Sequence, residues 1–296
     1  MKTLNVKGFQ EIKEIGHGSY GHVYKALRLS DNEIYAVKSI NVTHFNSEEI
    51  SSTLNEIRIM ASFSASPYIL RFYEALYENK RLCIVTEYAS LGDLSHYIER
   101  RKKKCKPLDE NTIWNYFIQI LCGLNELHSK GVIHRDLKSA NILMAAPDLV
   151  KIGDLGISTV LKSTKLEKTQ IGTPLYLAPE IWKKSHYNQK CDIWSLGILL
   201  YEMMYFCFPF PGNKNPDIAR RVLKGKYHIP RYLNEFNFVP SSTQAQGRIR
   251  PPPIKKPVKS QLSNGKLAVN QNQCFYHYSD ELIQLLKTLL QTNPAM

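Results

Sequence analysis

The sequence VIHRDLKSANILMAAPDLVKIGDLG, residues 132–156, decides how the rest of the chain is interpreted. It brings an aspartate, a lysine and an asparagine (Asp136, Lys138 and Asn141) close together in the chain, and a second aspartate, Asp154, follows after a segment long enough for a hairpin. Transfer of a phosphoryl group needs a positioned hydroxyl and metal ions that bridge the phosphates, with little covalent chemistry from the protein. Asp136 suits the first task. Asn141 and Asp154 suit the second, because Mg²⁺ prefers hard oxygen ligands.

The motif HRDLKSAN resembles the catalytic loop of eukaryotic protein kinases, and Asp-Leu-Gly at 154–156 resembles that family's Asp-Phe-Gly, with a leucine that can fill the same hydrophobic slot. The resemblance implies that Asp136 orients the acceptor hydroxyl, that Asn141 and Asp154 bind Mg²⁺, and that Lys138 contacts the γ-phosphate. A lysine at this position is typical of serine/threonine-specific members. Arg135, directly before Asp136, implies control by phosphorylation of the activation loop.

A glycine-rich motif, GHGSYGHV at 16–23, lies between two stretches with strand-like alternation and is followed by Ala36-Val37-Lys38. Dinucleotide-binding folds share such glycines, but there the glycines open a helix, whereas here another strand follows. In the kinase arrangement the glycines cover the triphosphate and Lys38 holds the α- and β-phosphates. The ATP-binding residues that the resemblance implies are Ile15, Gly16, Gly18, Gly21, Val23, Ala36, Lys38, Glu87, Ala89, Asp93, Asn141 and Asp154.

A helix is predicted over 46–63, where Asn46 and Glu49 resemble a capping box and apolar residues recur at helical spacing. The resemblance makes Glu56 the partner of Lys38. Two further strands are predicted over 69–77 and 81–89, and the resemblance places the adenine-binding hinge at 87–89. Asp93, at the start of the next helix, either meets the ribose or caps that helix.

Four more helices are predicted in the second half of the chain. An apolar face predicts one over 109–130, which Gly131 ends. The segment 192–206 is apolar nearly all round and predicts a buried central helix. The resemblance to kinases implies that Asp192, at its start, caps the backbone of the catalytic loop. The remaining two helices are expected over 216–224 and 279–291.

The hydroxyl-rich segment between Asp154 and the Ala-Pro-Glu at 178–180 is expected to be a regulatory switch. Thr169 is the leading phosphorylation candidate, with Ser163 and Thr164 as alternatives. Thr173 is expected to form hydrogen bonds near Asp136 and to help define a serine or threonine acceptor.

Two features depart from the kinase pattern. Residues 234–277 form a basic, proline-containing insert with few apolar residues, for which we predict disorder. The chain also stops before the family's last helix, so we expect a fragment that lacks the arginine normally paired with the Ala-Pro-Glu glutamate, Glu180. An unpaired buried carboxylate costs about 3–5 kcal/mol.

Composition supports a globular protein, with 43% hydrophobic and 22% charged residues in 296. The net charge of +13 favours acidic partners, although solvated loops account for such charge as well. Six scattered cysteines give no disulfide or zinc pattern, and no stretch is long and apolar enough for a membrane span. We therefore expect a cytoplasmic protein.

The motifs GDLGIS, IGTPLYLAPEIW and YNQKCDIWSLGILLYEMM resemble the NIMA-related (NEK) kinases most, while polo-like and autophagy-initiating kinases share parts of them. We predict an α+β, two-lobed protein kinase fold over 9–296, with an N-lobe at 9–88 and a C-lobe at 89–296. The implied activity is ATP- and Mg²⁺-dependent phosphorylation of protein serines and threonines. The resemblance to the NEK kinases also implies association with the cytoskeleton, centrosome or cilium, or a nuclear location. Specific nucleic-acid binding and membrane binding are not expected, and the oligomeric state is left open. The alternative is a pseudokinase scaffold that binds nucleotide and partners. A small-molecule phosphotransferase is disfavoured by the GTPLYLAPE segment, which in kinases forms a platform for a peptide.

Overall fold

The structure is a computed structural model that describes residues 4, 6–18, 21–154, 173–230 and 278–293. The predictions for Thr169, Leu155 and the 234–277 insert lie outside the described residues, as does the one for the side chain of Glu56.

The N-terminal lobe is a five-stranded antiparallel sheet with strand order β1-β2-β3-β5-β4. Its strands are β1 (Phe9–Gly18), β2 (Gly21–Arg28), β3 (Glu33–Asn41), β4 (Phe72–Glu78) and β5 (Arg81–Glu87). A polar turn joins β2 to β3, with Asn32 in the left-handed region at φ 59°. Leu4 and Val6 are buried in the same core as β2 and β3, so the packing of this lobe begins before the predicted boundary at Phe9.

One helix, α1 (Ser47–Ala61), accompanies the sheet and begins where the sequence predicts. The Asn46 side chain accepts a hydrogen bond from the Glu49 amide at 2.8 Å, and the Glu49 carboxylate accepts one from the Asn46 amide at 2.9 Å. This reciprocal capping satisfies two amide groups that the first turn leaves without helical partners. The predicted capping box is therefore confirmed.

The C-terminal lobe is mainly helical and is built around one buried helix. Its helices are α2 (Leu94–Lys103), α3 (Glu110–Ser129), α4 (Pro179–Trp182), α5 (Lys190–Tyr205), α6 (Asn215–Lys224) and α7 (Asp280–Leu289). Helix α5 is buried along almost its entire length, because nearly every side chain from Leu196 to Tyr205 is apolar. Gly197 permits its close contact with α7, since a Cβ atom there would lie 2.8 Å from the Leu289 Cβ.

A short hairpin, β6 (Ile142–Ala146) with β7 (Leu149–Ile152), lies between the lobes. The catalytic-loop motif lies at one end of it and Asp154 at the other. The catalytic-loop residues precede β6 in a 3₁₀ turn at Ser139–Asn141, and Asp154 follows β7. The hairpin thereby brings two motifs that are distant in the chain to one place. Within the described residues, no helix has the length and apolar character needed to cross a membrane.

Candidate active site

The predicted catalytic loop is fixed to the central helix by one carboxylate. Asp192, in the first turn of α5, accepts hydrogen bonds from the backbone amides of His134 (2.8 Å) and Arg135 (2.9 Å) and contacts His128 Nε2 at 2.8 Å. Burial alone would raise the pKa of Asp192, but the His128 hydrogen bond and the other donors lower it below its ordinary value. The buried group is therefore a carboxylate, and the predicted capping role is confirmed.

Arg135 adopts a left-handed backbone conformation, at φ 65°. For a residue with a side chain this conformation is costly, and it persists where the surroundings over-determine it. Here the two amides held by Asp192 provide that constraint. The Arg135 guanidinium lies 5.7 Å from the centre of the Tyr187 ring.

Two polar side chains converge on the loop's aspartate. Lys138 Nζ donates to Asp136 Oδ2 at 2.8 Å, and the Asn141 amide nitrogen donates to the Asp136 carbonyl at 2.8 Å. The Asp136 side chain is only 8% exposed, so these contacts determine where its carboxylate points. Because the amide nitrogen of Asn141 is committed to Asp136, its amide oxygen is the atom that a cation would meet.

His134 connects the catalytic loop to the residue before Asp154. The Asp136 amide donates to His134 Nδ1 at 3.3 Å, so Nδ1 is the acceptor, and Nε2 then donates to the Gly153 carbonyl at 3.1 Å. The His134 ring thereby links the two motifs. Asp154 itself has a left-handed backbone, at φ 51°.

Lys38 reaches across the cleft from β3 to Asp154, with Nζ 2.5 Å from Oδ1. Burial works against the charge of Asp154, but attraction to Lys38 and the hydrogen bond from it hold the pKa of Asp154 below its ordinary value. Asp154 is therefore a carboxylate near neutral pH, and it contacts the Lys38 side chain of the other lobe.

A cavity of about 580 Å³ opens between the lobes beside this pair. Apolar side chains line most of it, and polar groups occupy its inner end. Such a lining is usual for ligand sites, in which apolar walls contact the ring system and a few polar groups fix the orientation of the ligand. Of the predicted nucleotide-binding residues, those that line it are Ile15, Gly16, Val23, Ala36, Lys38, Glu87, Ala89, Asp93, Asn141 and Asp154. Gly18 and Gly21 instead end β1 and begin β2, where they form a pair in the sheet register.

Two residues at the edge of the cavity have clear local partners. The Asp93 carboxylate accepts a hydrogen bond from the His96 amide at 2.8 Å, so it caps α2, the second of its two predicted roles. Glu87 contacts Lys151 Nζ of β7 at 2.7 Å and accepts a hydrogen bond from the Arg71 amide at 2.9 Å. This ion pair joins the end of the N-lobe sheet to the C-lobe hairpin, and sequence reasoning missed it because the two residues are 64 positions apart.

A buried polar cluster supports the segment after Thr173. The hydroxyl of Tyr176 and that of Ser139 both hydrogen-bond to the carboxylate of Glu202 on α5, the latter at 3.0 Å. The cluster joins the catalytic loop, the central helix and the segment that bears the Ala-Pro-Glu motif. Sequence reasoning missed this cluster. A glutamate in the middle of a helix that is otherwise apolar nearly all round is the signal that could have identified it. Thr173 and Asp136 line the same small pocket.

Two lobes with a cavity between them, a lysine–aspartate pair that spans it, and a catalytic loop anchored on a buried helix define the site of a protein kinase. The family model described as "Protein kinase domain" matches residues 9–296, and the chain belongs to that family. This membership confirms the predicted two-lobed kinase fold.

Curated relatives are NIMA-related serine/threonine kinases, as the motifs predict. Serine/threonine-protein kinase Nek8 of Danio rerio is 37% identical over 220 residues, which are 74% of this chain and 31% of the relative. Human serine/threonine-protein kinase Nek5 is 37% identical over 221 residues, again 74% of this chain and 31% of the relative. Human serine/threonine-protein kinase Nek2 is 35% identical over 239 residues, 77% of this chain and 54% of the relative. The chain thus spans about a third to a half of the length of these relatives.

Proposed function

We propose that this chain is a protein serine/threonine kinase that transfers the γ-phosphoryl group of ATP to serine and threonine hydroxyls of protein substrates. The observation that carries this proposal is the position of Asp136. Its carboxylate is nearly buried, is held by Lys138 and Asn141, and stands on a loop fixed by Asp192. A carboxylate so constrained is suited to orient a substrate hydroxyl and to accept its proton.

The residues of the cleft fit ATP and Mg²⁺. The cavity offers apolar walls for a base, hinge backbone at Glu87 and Ala89, and at its inner end an ammonium and two oxygen-bearing side chains. Asn141 and Asp154 are the residues that would hold Mg²⁺, while Lys38 would hold the phosphates, with Glu56 as its additional partner. When bound, Mg²⁺-ATP supplies the phosphoryl group and the positive charge that offsets its negative charge.

The protein's own contribution is positioning and electrostatics. Lys138, 2.8 Å from the Asp136 carboxylate, keeps a positive charge where negative charge increases during transfer. The glycines Gly16, Gly18 and Gly21 would cover the phosphates with backbone amides. Water is kept out on the inner side by the apolar packing around the β6–β7 hairpin.

Regulation by phosphorylation is the second part of the proposal. Arg135 directly precedes Asp136, and its guanidinium lies 5.7 Å from the centre of the Tyr187 ring. We propose that a phosphate on Thr169 pairs with Arg135, and that Thr173 assists recognition of the acceptor hydroxyl. A cytoplasmic site of action, with cytoskeletal, centrosomal, ciliary or nuclear association, belongs to the same proposal.

The experiment is phosphate transfer from Mg²⁺-ATP to a mixture of serine- and threonine-containing proteins. Asp136→Asn should lower kcat by about 10²–10⁴-fold while ATP binding, followed by calorimetry, stays near that of the unmodified protein. Asp148→Asn, in the exposed turn between β6 and β7, is the matched control and should keep full activity.

The pseudokinase alternative gives a different result in the same experiment. A scaffold would bind ATP and show no transfer above the Asp136→Asn background. That outcome would refute the proposed activity even if nucleotide affinity were high.

A further inference from the structure

The C-terminal end of α2 carries a dense group of positive charges that the proposed phosphoryl transfer does not use. Six of the seven residues from Arg100 to Lys106 are lysine or arginine, and this run contains no acidic residue. We call the side chains of Arg100, Lys102, Lys103, Lys104 and Lys106 the basic corner. All of them except half-buried Lys102 are exposed.

Folding accounts for part of this charge. Arg101 donates to the carbonyls of Lys106 (3.0 Å) and Pro107 (2.6 Å), and so closes the loop after α2. Lys103 Nζ lies 3.7 Å from Glu99 Oε1, in a solvent-exposed pair of the kind that contributes little to stability. Cations in the last turn of a helix also interact favourably with its dipole, but Lys104 and Lys106 lie beyond the last turn.

The helix that carries the basic corner packs against the catalytic-loop region. Helix α2 packs against the Ser139–Asn141 turn and against β6. The Tyr278 hydroxyl lies 3.1 Å from the Leu108 carbonyl and 3.0 Å from the Met204 carbonyl, so the loop after α2 is joined to the end of α5.

From the end of α5, two contacts lead to the expected peptide platform. The Lys102 ammonium is near enough to act electrostatically on Glu202 and on Cys207, the second residue after α5. The ring of the next residue, Phe208, packs edge-to-face on Tyr176 at 5.5 Å between centroids. Tyr176 belongs to the segment that, in protein kinases, faces the peptide.

We propose that the basic corner binds acidic residues of the peptide substrate, so that this kinase favours serines and threonines flanked at a short distance by clustered aspartate, glutamate or phosphorylated side chains. The inference rests on the proposed kinase activity and names the substrate class for it. Charge complementarity selects this occupant. The basic stretch 248–266, within the predicted insert at 234–277, has the same sign of charge and would be repelled.

The size of the basic corner also fits a peptide. Its charges cover one helix end and the following loop, about 10 Å, which is the length of about three extended residues. A membrane surface or a nucleic acid would engage a wider basic face. The expected recognition element is therefore a short acidic cluster.

The test compares peptides that share one acceptor serine and its immediate neighbours, and that differ only in outer flanks of glutamate, glutamine or lysine on both sides. With the unmodified chain at low salt, the glutamate-flanked peptide should have a KM about tenfold below that of the glutamine-flanked peptide, at equal kcat. The lysine-flanked peptide should have the highest KM. The preference should shrink as salt increases, because exposed charges are screened.

Charge reversal locates the effect. The triple variant Arg100→Glu, Lys104→Glu and Lys106→Glu leaves the Glu99–Lys103 pair intact and should reverse the preference, with an unchanged KM for ATP. The matched control reverses Lys7, Lys80 and Lys287, exposed residues on the N-lobe and on α7, and should keep the tenfold preference. Glutamine at the three basic-corner positions is a milder variant, and should abolish the preference without reversing it.

The outcomes separate the inference from the activity on which it rests. Equal KM values for glutamate and glutamine flanks, with both peptides phosphorylated, would overturn the basic corner's role and leave the kinase activity standing. Equal loss of preference in the control triple would also overturn it, because the effect would then come from net charge. Failure to phosphorylate any peptide or protein despite ATP binding would overturn the activity and the inference together. Retention of vesicles or RNA by the basic corner, with no effect on peptide KM, would assign it to another partner.

Discussion

Replacing Glu202 by glutamine should stabilise the protein at pH 8 and change its stability much less at pH 5. Glu202 is buried on α5, where its carboxylate accepts hydrogen bonds from Ser139 and Tyr176. Burial raises the pKa of Glu202 from 4.5 to about 7, although the hydrogen bonds from Tyr176 and Ser139 oppose the shift.

The direction of the pH effect follows from this shift. Below pH 4.5 the carboxyl group is protonated in both the folded and the unfolded chain, and it makes no difference between them. As the pH rises, the unfolded chain releases the proton first, so stability is lost progressively until the folded carboxyl also ionises near pH 7. A shift of this size corresponds to about 3 kcal/mol at high pH, of which about 2 to 3 kcal/mol develops between pH 5 and pH 8.

Glutamine is neutral at every pH, and its amide can accept one of the two hydroxyl hydrogen bonds and donate in the other. It therefore resembles the protonated glutamate and should avoid the loss at high pH. Urea unfolding at pH 5 and pH 8 measures this, with Glu281→Gln on the exposed face of α7 as the control. If Glu202→Gln lowered the free energy of unfolding by the same amount at both pH values, the buried-charge reasoning would be wrong.

Three further substitutions test the site. Asp192→Asn removes the charge that holds the His134 and Arg135 amides. The free energy of unfolding in urea should fall by about 2–4 kcal/mol, and most of kcat should be lost. Retention of full kcat would contradict the anchoring role. Gly21→Ala places a Cβ atom against the Ser39 carbonyl oxygen, so β2 and β3 must separate. We expect the free energy of unfolding to fall by about 1–3 kcal/mol and the KM for ATP to rise. An unchanged melting temperature would refute this prediction. Lys151→Met breaks the partly buried pair with Glu87 and should cost about 1–2 kcal/mol while kcat stays within a fewfold, whereas a neutral effect on unfolding would show that the pair contributes nothing.

The sequence predicted the local parts of this structure well because local chemistry determines them. Asn46 and Glu49 cap α1 as their spacing indicates, and the apolar face of 109–130 gives α3 almost to the residue. The motifs that contain Asp136, Asn141 and Asp154 indicated one common site, and the β6–β7 hairpin brings these motifs close together. Asp192 was assigned to the catalytic loop by resemblance, and the structure supplies the two amides that it caps.

What the sequence did not reveal depends on contacts between distant residues. The Glu87–Lys151 pair and the cluster of Ser139, Tyr176 and Glu202 join segments that no periodicity connects. Leu4 and Val6 were overlooked for a related reason, because two isolated apolar residues before the first strand carry no pattern of their own. Asp93 was ambiguous until the His96 amide was seen to point at it.

The attachment of the catalytic loop to α5 has a consequence for the kinetics of amide hydrogen exchange. The amides of His134 and Arg135 donate to a carboxylate on the most deeply buried helix, whereas Lys38 reaches the cleft from the other lobe. Opening of the cleft would separate Lys38 from Asp154 without breaking either amide bond to Asp192. These two protons should therefore exchange only when the C-lobe unfolds as a whole. Their protection then measures the global free energy of unfolding at a position within the candidate active site.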